Sequence, residues 1–229
     1  LSEIGFRVRN QNRAIQIDSR FRNHCLLSQG RVVPATSGEF GNIKYTDVPM
    51  PQSSTPQIVA IRGNNPTFYV MNGQYVRIFS VTNTGAPQGF ADYYIFGTPN
   101  SDEGGKPGMR IRNRHTGETV YNSLRKYIRI LNSSALPGAN TGSIQVGRKC
   151  ALIQNTRGYG ARKQRTGPNG TIVIEDVKST FIITPTDNTW EHRSGIVANI
   201  NRPWDGQGFA EYNFSQFQAS VTIIDVTGY

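Results

Sequence analysis

The sequence predicts an all-β protein made of two tandem, duplicated β-sandwich domains of the jelly-roll or Greek-key kind. Three observations carry this. Val, Ile, Thr, Tyr and Phe gather in short bursts between Gly, Pro and Asn clusters, with 24 Gly and 12 Pro among 229 residues. No run of ten or more residues keeps apolar positions at i, i+3, i+4 and i+7, the signature of an amphipathic helix. And two motifs occur twice in the same order: Gly5-Phe6-Arg7-Val8-Arg9-Asn10 returns as Gly108-Met109-Arg110-Ile111-Arg112-Asn113, and Gly89-Phe90-Ala91-Asp92-Tyr93 as Gly208-Phe209-Ala210-Glu211-Tyr212. The first pair lies 103 positions apart and the second 119, so an insertion of 16 residues in the second half reconciles them.

Each opening motif alternates apolar and basic residues with the period of a strand, so Phe6 and Val8 face away from Arg7 and Arg9, and Met109 and Ile111 away from Arg110 and Arg112. A short polar turn leads from each into a second extended run, Ala14 to Ser19 and Glu118 to Ser123, which makes each unit a β-hairpin. Further strands are expected at Phe21 to Ser28 and Arg31 to Pro34. Six glycines and prolines between 34 and 57, including Pro49, Pro51 and Pro56, argue for a long surface excursion, because Pro lacks the donor that a central strand needs. Strands resume at Gln57 to Ile61, Thr67 to Met71 and Gln74 to Val81. Asn72-Gly73 between the last two reads as a two-residue type I′ turn.

Gly97 to Gly105 is the most linker-like stretch, which sets the expected domains at 1–100 and 106–229. In the second half, strands are expected at Leu124 to Leu131, Ser143 to Val146, Cys150 to Ile153, Thr171 to Ile174, Lys178 to Thr184, Gly195 to Ile200 and Ala219 to Val226, with a loop at 132–142. Cys25 and Cys150 are too few for a disulfide-held fold and read as buried small hydrophobes.

The chain carries a net charge of +10, of which residues 1–105 supply +2 (9 basic, 7 acidic) and residues 106–229 supply +8 (16 basic, 8 acidic). The second half therefore carries a field that draws in anionic partners: nucleic acid, phosphate-bearing lipopolysaccharide or an acidic protein surface. Its densest point is Arg157-Gly158-Tyr159-Gly160-Ala161-Arg162-Lys163-Gln164-Arg165, with four cations in nine residues. Arg157, Tyr159, Arg162, Lys163 and Arg165 are the candidate contact residues, either for an anionic ligand, with Tyr stacking and Arg bonding bidentately, or for a neighbouring subunit. Trp190 and Trp204 flank a polar segment, where core filler, sugar stacking and interface anchoring all fit.

His24, His115 and His192 lie far apart with no metal-ligand spacing, and no nucleophile elbow, phosphate loop or dinucleotide fingerprint occurs. Acid pairs such as Asp187 with Glu191 read as solvated surface groups. No catalytic residue, cofactor or metal is expected. Neither a secretory segment nor a run of about 20 apolar residues is present, so a soluble chain without membrane insertion is expected.

Gly5 to Ser19, and Gly108 to Ile130 with its Arg125-Lys126-Tyr127, together about a sixth of the chain, resemble small structural proteins encoded among the tail genes of tailed bacteriophages. The resemblance implies a non-enzymatic all-β virion protein at the tail tip, baseplate or fibre attachment. Such a protein would be made in the host cytoplasm, assemble as a trimer or hexamer with other virion proteins, and touch the host surface, with lipopolysaccharide as a candidate partner. A head-decoration protein is the nearest alternative. A basic nucleic-acid-binding module is the alternative from another class, although nucleic acid is not the expected partner.

Overall fold

A computed structural model describes residues 7–9, 15–18, 23–37, 43–82, 89–100, 108–135, 140–166, 168–203 and 219–229, with the backbone alone at 7–9, 15–18, 161–164, 200 and 202. Among the described residues the chain is strands throughout, apart from one 3-10 turn at Pro168–Gly170. In the first half they are β1 (Arg7–Arg9), β2 (Ile15–Asp18), β3 (Cys25–Val32), β4 (Thr36–Ser37), β5 (Ile43–Pro49), β6 (Ile58–Gly63), β7 (Thr67–Asn72), β8 (Tyr75–Val81) and β9 (Ala91–Gly97). In the second half they are β10 (Arg110–Arg112), β11 (Thr119–Asn122), β12 (Ile130–Ala135), β13 (Asn140–Ser143), β14 (Cys150–Thr156), β15 (Tyr159–Thr166), β16 (Ile172–Ile183), β17 (Thr189–Pro203) and β18 (Ser220–Asp225).

Both halves follow one pairing plan. The hairpins β1–β2 and β10–β11 each shift register at the same place, between Val8 and Arg9 and between Ile111 and Arg112. Downstream, β3 pairs β9 with a shift between Leu26 and Ser28, and β12 pairs β18 with a shift between Ile130 and Asn132. The strand orders also correspond. The first half contributes β3-β9-β6 to one sheet and β5-β8-β7 to the other, and the second half contributes β12-β18-β14 and β13-β17-β16.

These half-sheets do not form two sandwiches. Strand β6 pairs β14, with Ile61 opposite Leu152, and β7 pairs β16, with Thr67 opposite Ile182. The result is one six-stranded sheet, β12-β18-β14-β6-β9-β3, and one eight-stranded sheet, β13-β17-β16-β7-β8-β5-β4 with β15 as its eighth strand, paired to β16 off this path. Strands from both expected domains, 1–100 and 106–229, thus share each sheet. The physical reason is the edge. A three-stranded half-sheet would leave the backbone groups of β6 and β7 unpaired and its apolar face open, and fusing the halves satisfies both.

The sandwich interior is shared in the same way. Val59, Ile61, Ile95, Leu152, Val221 and Ile223 from the six-stranded sheet meet Val48, Val76, Ile78, Ile182 and Trp190 from the other. Tyr69 on β7 ties the layers at the seam, its hydroxyl donating to the Val59 carbonyl at 2.8 Å. Two further clusters bury the outer faces, one around Phe68, Val81, Val177 and Ala198, the other around Ala60, Tyr94, Phe96, Ala151 and Ile224.

Several local expectations are revised. The stretch from Ile43 to Pro49 is strand β5, with Ile43 and Val48 buried; Pro49 is tolerated because it is the terminal residue. Asn72 pairs Tyr75, so the hairpin turn is Gly73-Gln74, with positive φ at Gly73 alone, the requirement of a type II′ rather than a type I′ turn. The expected loop at 132–142 holds parts of β12 and β13, while Leu124 to Arg129 is mostly a strap outside the sheets. Gly97 to Asn100, read as linker, is docked: Ser53 Oγ, Ser54 Oγ and Ser54 N all donate to the Thr98 carbonyl. Residues 101–105, Phe6, Trp204 and the second motif copy at 208–212 lie outside the described residues. Cys25 and Cys150 are buried thiols, and burial pushes the Cys150 pKa up to about 11.

Candidate interaction site

The two halves differ most between their third and fourth sandwich strands. In the first half three residues connect β6 to β7, whereas in the second β15 and the first part of β16 intervene. The extra residues form an antiparallel arm: β15 lies along β16 from Tyr159 opposite Ser179 to Thr166 opposite Ile172, and β17 flanks β16 on its other side out to Pro203. The arm turns at Asn169 and Gly170, both with positive φ, a conformation that Asn and Gly accept most readily.

Most of the basic segment, from Tyr159 on, is strand β15, because β16 offers it a full ladder of partners. That changes what its cations can do. Arg157 and Tyr159 come together: the Arg157 guanidinium sits 5.4 Å from the Tyr159 ring centroid and 5.3 Å from that of Phe68. Burial pulls the Arg157 pKa below its ordinary value. The others do not converge on this pair. A strand rises about 3.3 Å per residue, so Arg165 stands roughly 20 Å from Tyr159 along β15. The register sets Arg162 opposite Asp176 and Lys163 opposite Glu175, positions where opposite charges stabilise a sheet. Tyr159, Ile172 and Ile196 are exposed apolar side chains of the arm, with Ile172 and Ile196 on one sheet face and Tyr159 on the other.

Two ion clusters brace the sandwich. Asp92 accepts two bonds from Arg31, at 2.6 and 3.1 Å, and lies 3.5 Å from enclosed Arg62, which reaches Asp187 of the second half at 2.7 Å. Asp225, with no exposed surface, accepts from Arg148 Nη1 at 2.6 Å and from Thr227 N at 2.8 Å. Burial works to raise its pKa, but these bonds and the nearby Arg129 charge hold it below the usual carboxylate value. Asp225→Asn places an amide donor among donors, and breaking a buried ion pair typically costs about 3 kcal/mol or more. The expected readout is a urea midpoint lowered accordingly with an unchanged m-value; an unchanged midpoint would refute the bracing role.

A cleft of about 340 Å³ was not foreseen from the sequence. Tyr121, Lys126, Tyr127, Ile128 and Arg129 form one side and Thr227, Gly228 and Tyr229 the other. Tyr121 and Tyr127 stack at 4.9 Å between centroids. Lys126 Nζ donates to the Gly228 carbonyl at 2.5 Å, Arg129 Nη2 to the Thr227 carbonyl at 2.5 Å, and the Tyr229 hydroxyl to the Tyr127 carbonyl. Burial pushes the Tyr127 pKa up to about 12 and raises that of Tyr229, so both are neutral phenols at physiological pH. The Arg125-Lys126-Tyr127 run is visible in the sequence, but its facing residues lie about a hundred positions away.

Trp190 is core, packed over Gly142, where a Cβ would stand 2.6 Å from the indole. Among the described residues no three His, Cys, Asp or Glu side chains gather as a metal site. Comparison with protein-family models, with curated proteins and with solved structures finds no match to this chain.

Proposed function

We propose that this chain is a non-enzymatic structural protein of a tailed-phage particle, sited at the tail tip, baseplate or fibre attachment and working as a symmetric homo-oligomer. The inserted arm carries this reading. It interrupts an otherwise repeated pairing plan, and it exposes Tyr159 at 58 % and Ile196 at 57 %, beside the most basic segment of the chain. Exposed apolar anchors among cations are what subunit contacts use, and here one stands on each face of the arm, so neighbouring subunits can grip it from both sides while the charges select an acidic partner. The resemblance of Gly5 to Ser19 and Gly108 to Ile130 to phage tail proteins supplies the particle, and the arm supplies the means of assembly.

Light scattering at low and at physiological salt, with and without a short oligonucleotide, tests this. A discrete trimer or hexamer indifferent to nucleic acid is expected, and the double variant Tyr159→Asp, Ile196→Asp is expected to be monomeric with its thermal midpoint retained. A wild-type monomer whose mass rises only with the oligonucleotide, and only at low salt, would overturn the proposal in favour of nucleic-acid binding, whose affinity is set by counterion release. Labelling of intact particles with an antibody to the chain separates tail from head.

A further inference from the structure

We infer that the cleft between the 121–129 strap and Thr227–Tyr229 is a binding site for a phosphorylated sugar ring. Its walls are aromatic: the stacked Tyr121 and Tyr127 on one side and Tyr229 on the other. Its rim is cationic, with Lys126 Nζ 5.7 Å and the Arg129 guanidinium 4.8 Å from the Tyr229 ring centroid. No Asp or Glu side chain is among the residues that line it. Asp225, the acid nearest Arg129 at 3.5 Å, is enclosed and taken up by Arg148. The phenols stay protonated, so neither tyrosine hydroxyl repels an anion.

Donors remain for a ligand. Lys126 is exposed and uses one of its three N–H groups on Gly228. Arg129 directs Nε and Nη2 to the carbonyls of Asp225 and Thr227, which fixes the guanidinium at the rim. These bonds to carbonyls hold both cations in place before any ligand arrives, which lowers the ordering cost of binding. An ammonium beside a guanidinium suits phosphate, and tyrosine faces suit the C–H surface of a ring held next to it. The volume, about 340 Å³, falls at the small end of ligand sites and admits one or two rings. Saccharides of a bacterial envelope and nucleotides both carry a sugar phosphate, and the test distinguishes them. The site requires no assembly, so binding is expected of monomer and oligomer alike and stands apart from the particle proposal.

Titration calorimetry of the full chain with glucose 1-phosphate, AMP, glucose and inorganic phosphate is the experiment. Glucose 1-phosphate is expected to bind at least tenfold more tightly than either glucose or inorganic phosphate, and Lys126→Met and Tyr121→Ala are each expected to weaken it about tenfold. Thermal melts of both variants separate a lost contact from a lost fold, and the Lys126 change, at an exposed side chain, is expected to leave the melt unaltered. AMP binding more weakly than glucose 1-phosphate supports the site with a saccharide source, and AMP binding as tightly or more tightly supports it with the sugar phosphate of a nucleotide. Inorganic phosphate binding as tightly as glucose 1-phosphate, or no heat from either at 10 mM, would overturn the inference.

Discussion

Replacing His192 with isoleucine is expected to stabilise the protein and to flatten the acid side of its stability profile. His192 has no exposed surface, and among the described residues neither ring nitrogen has a hydrogen-bond partner. It sits opposite Ile182 on β16, in the interior beside Trp190. In the first half Ile78 on β8, opposite Tyr69 on β7, is equally enclosed. An orphaned buried polar group costs about 1 to 3 kcal/mol, so His192→Ile should gain roughly 2 kcal/mol, or about 4 to 8 °C in a chain of this size.

The pH dependence follows from the same burial, which lowers the His192 pKa from 6.5 to about 4. Between those values the unfolded chain binds a proton that the folded chain refuses, so stability falls as pH drops from 6.5 towards 4. The whole window is worth on the order of 3 kcal/mol, at about 1.4 kcal/mol per pKa unit. Asp225, whose folded pKa is depressed, adds a separate loss below its ordinary value of 3.8. Urea melts at pH 7 and pH 5 should therefore diverge for the wild type and nearly coincide for His192→Ile. Equal wild-type stability at both would sink this account of the buried imidazole.

Leu152→Ala is expected to produce the largest loss. Leu152 and Ile61 face each other across the seam, both without exposed surface, and both belong to the shared interior. Truncating a buried leucine costs about 2.7 to 5 kcal/mol, depending on how far the site collapses. Because both sheets run through the seam, the loss should lower one cooperative transition rather than uncouple two. In scanning calorimetry the van't Hoff and calorimetric enthalpies should agree, for the wild type and for the variant. Two resolved transitions, with Leu152→Ala shifting only one, would show that the halves fold as separate domains.

The strand class was legible because it rests on local chemistry. Period-two alternation placed the hairpins β1–β2 and β10–β11, which the motif pair at 5–10 and 108–113 opens. Charge clustering found Arg157 and Tyr159, which do meet. The same local cues misled at Ile43–Pro49, where proline density masked a strand, and at 157–165, where glycine and arginine concealed one. Propensity does not report whether a partner strand is available.

What the sequence determined by itself was thus the all-β class, the repeated order of strands and the sign and location of the charge, since each is a property of neighbouring residues. Tertiary structure alone decided that the halves merge, that β15 spreads its cations along a ladder, and that Tyr121 and Tyr127 meet Tyr229. Those outcomes depend on pairs such as Ile61 with Leu152, about ninety positions apart, whose union is driven by unpaired sheet edges and uncovered apolar faces rather than by any pattern within reach of either residue.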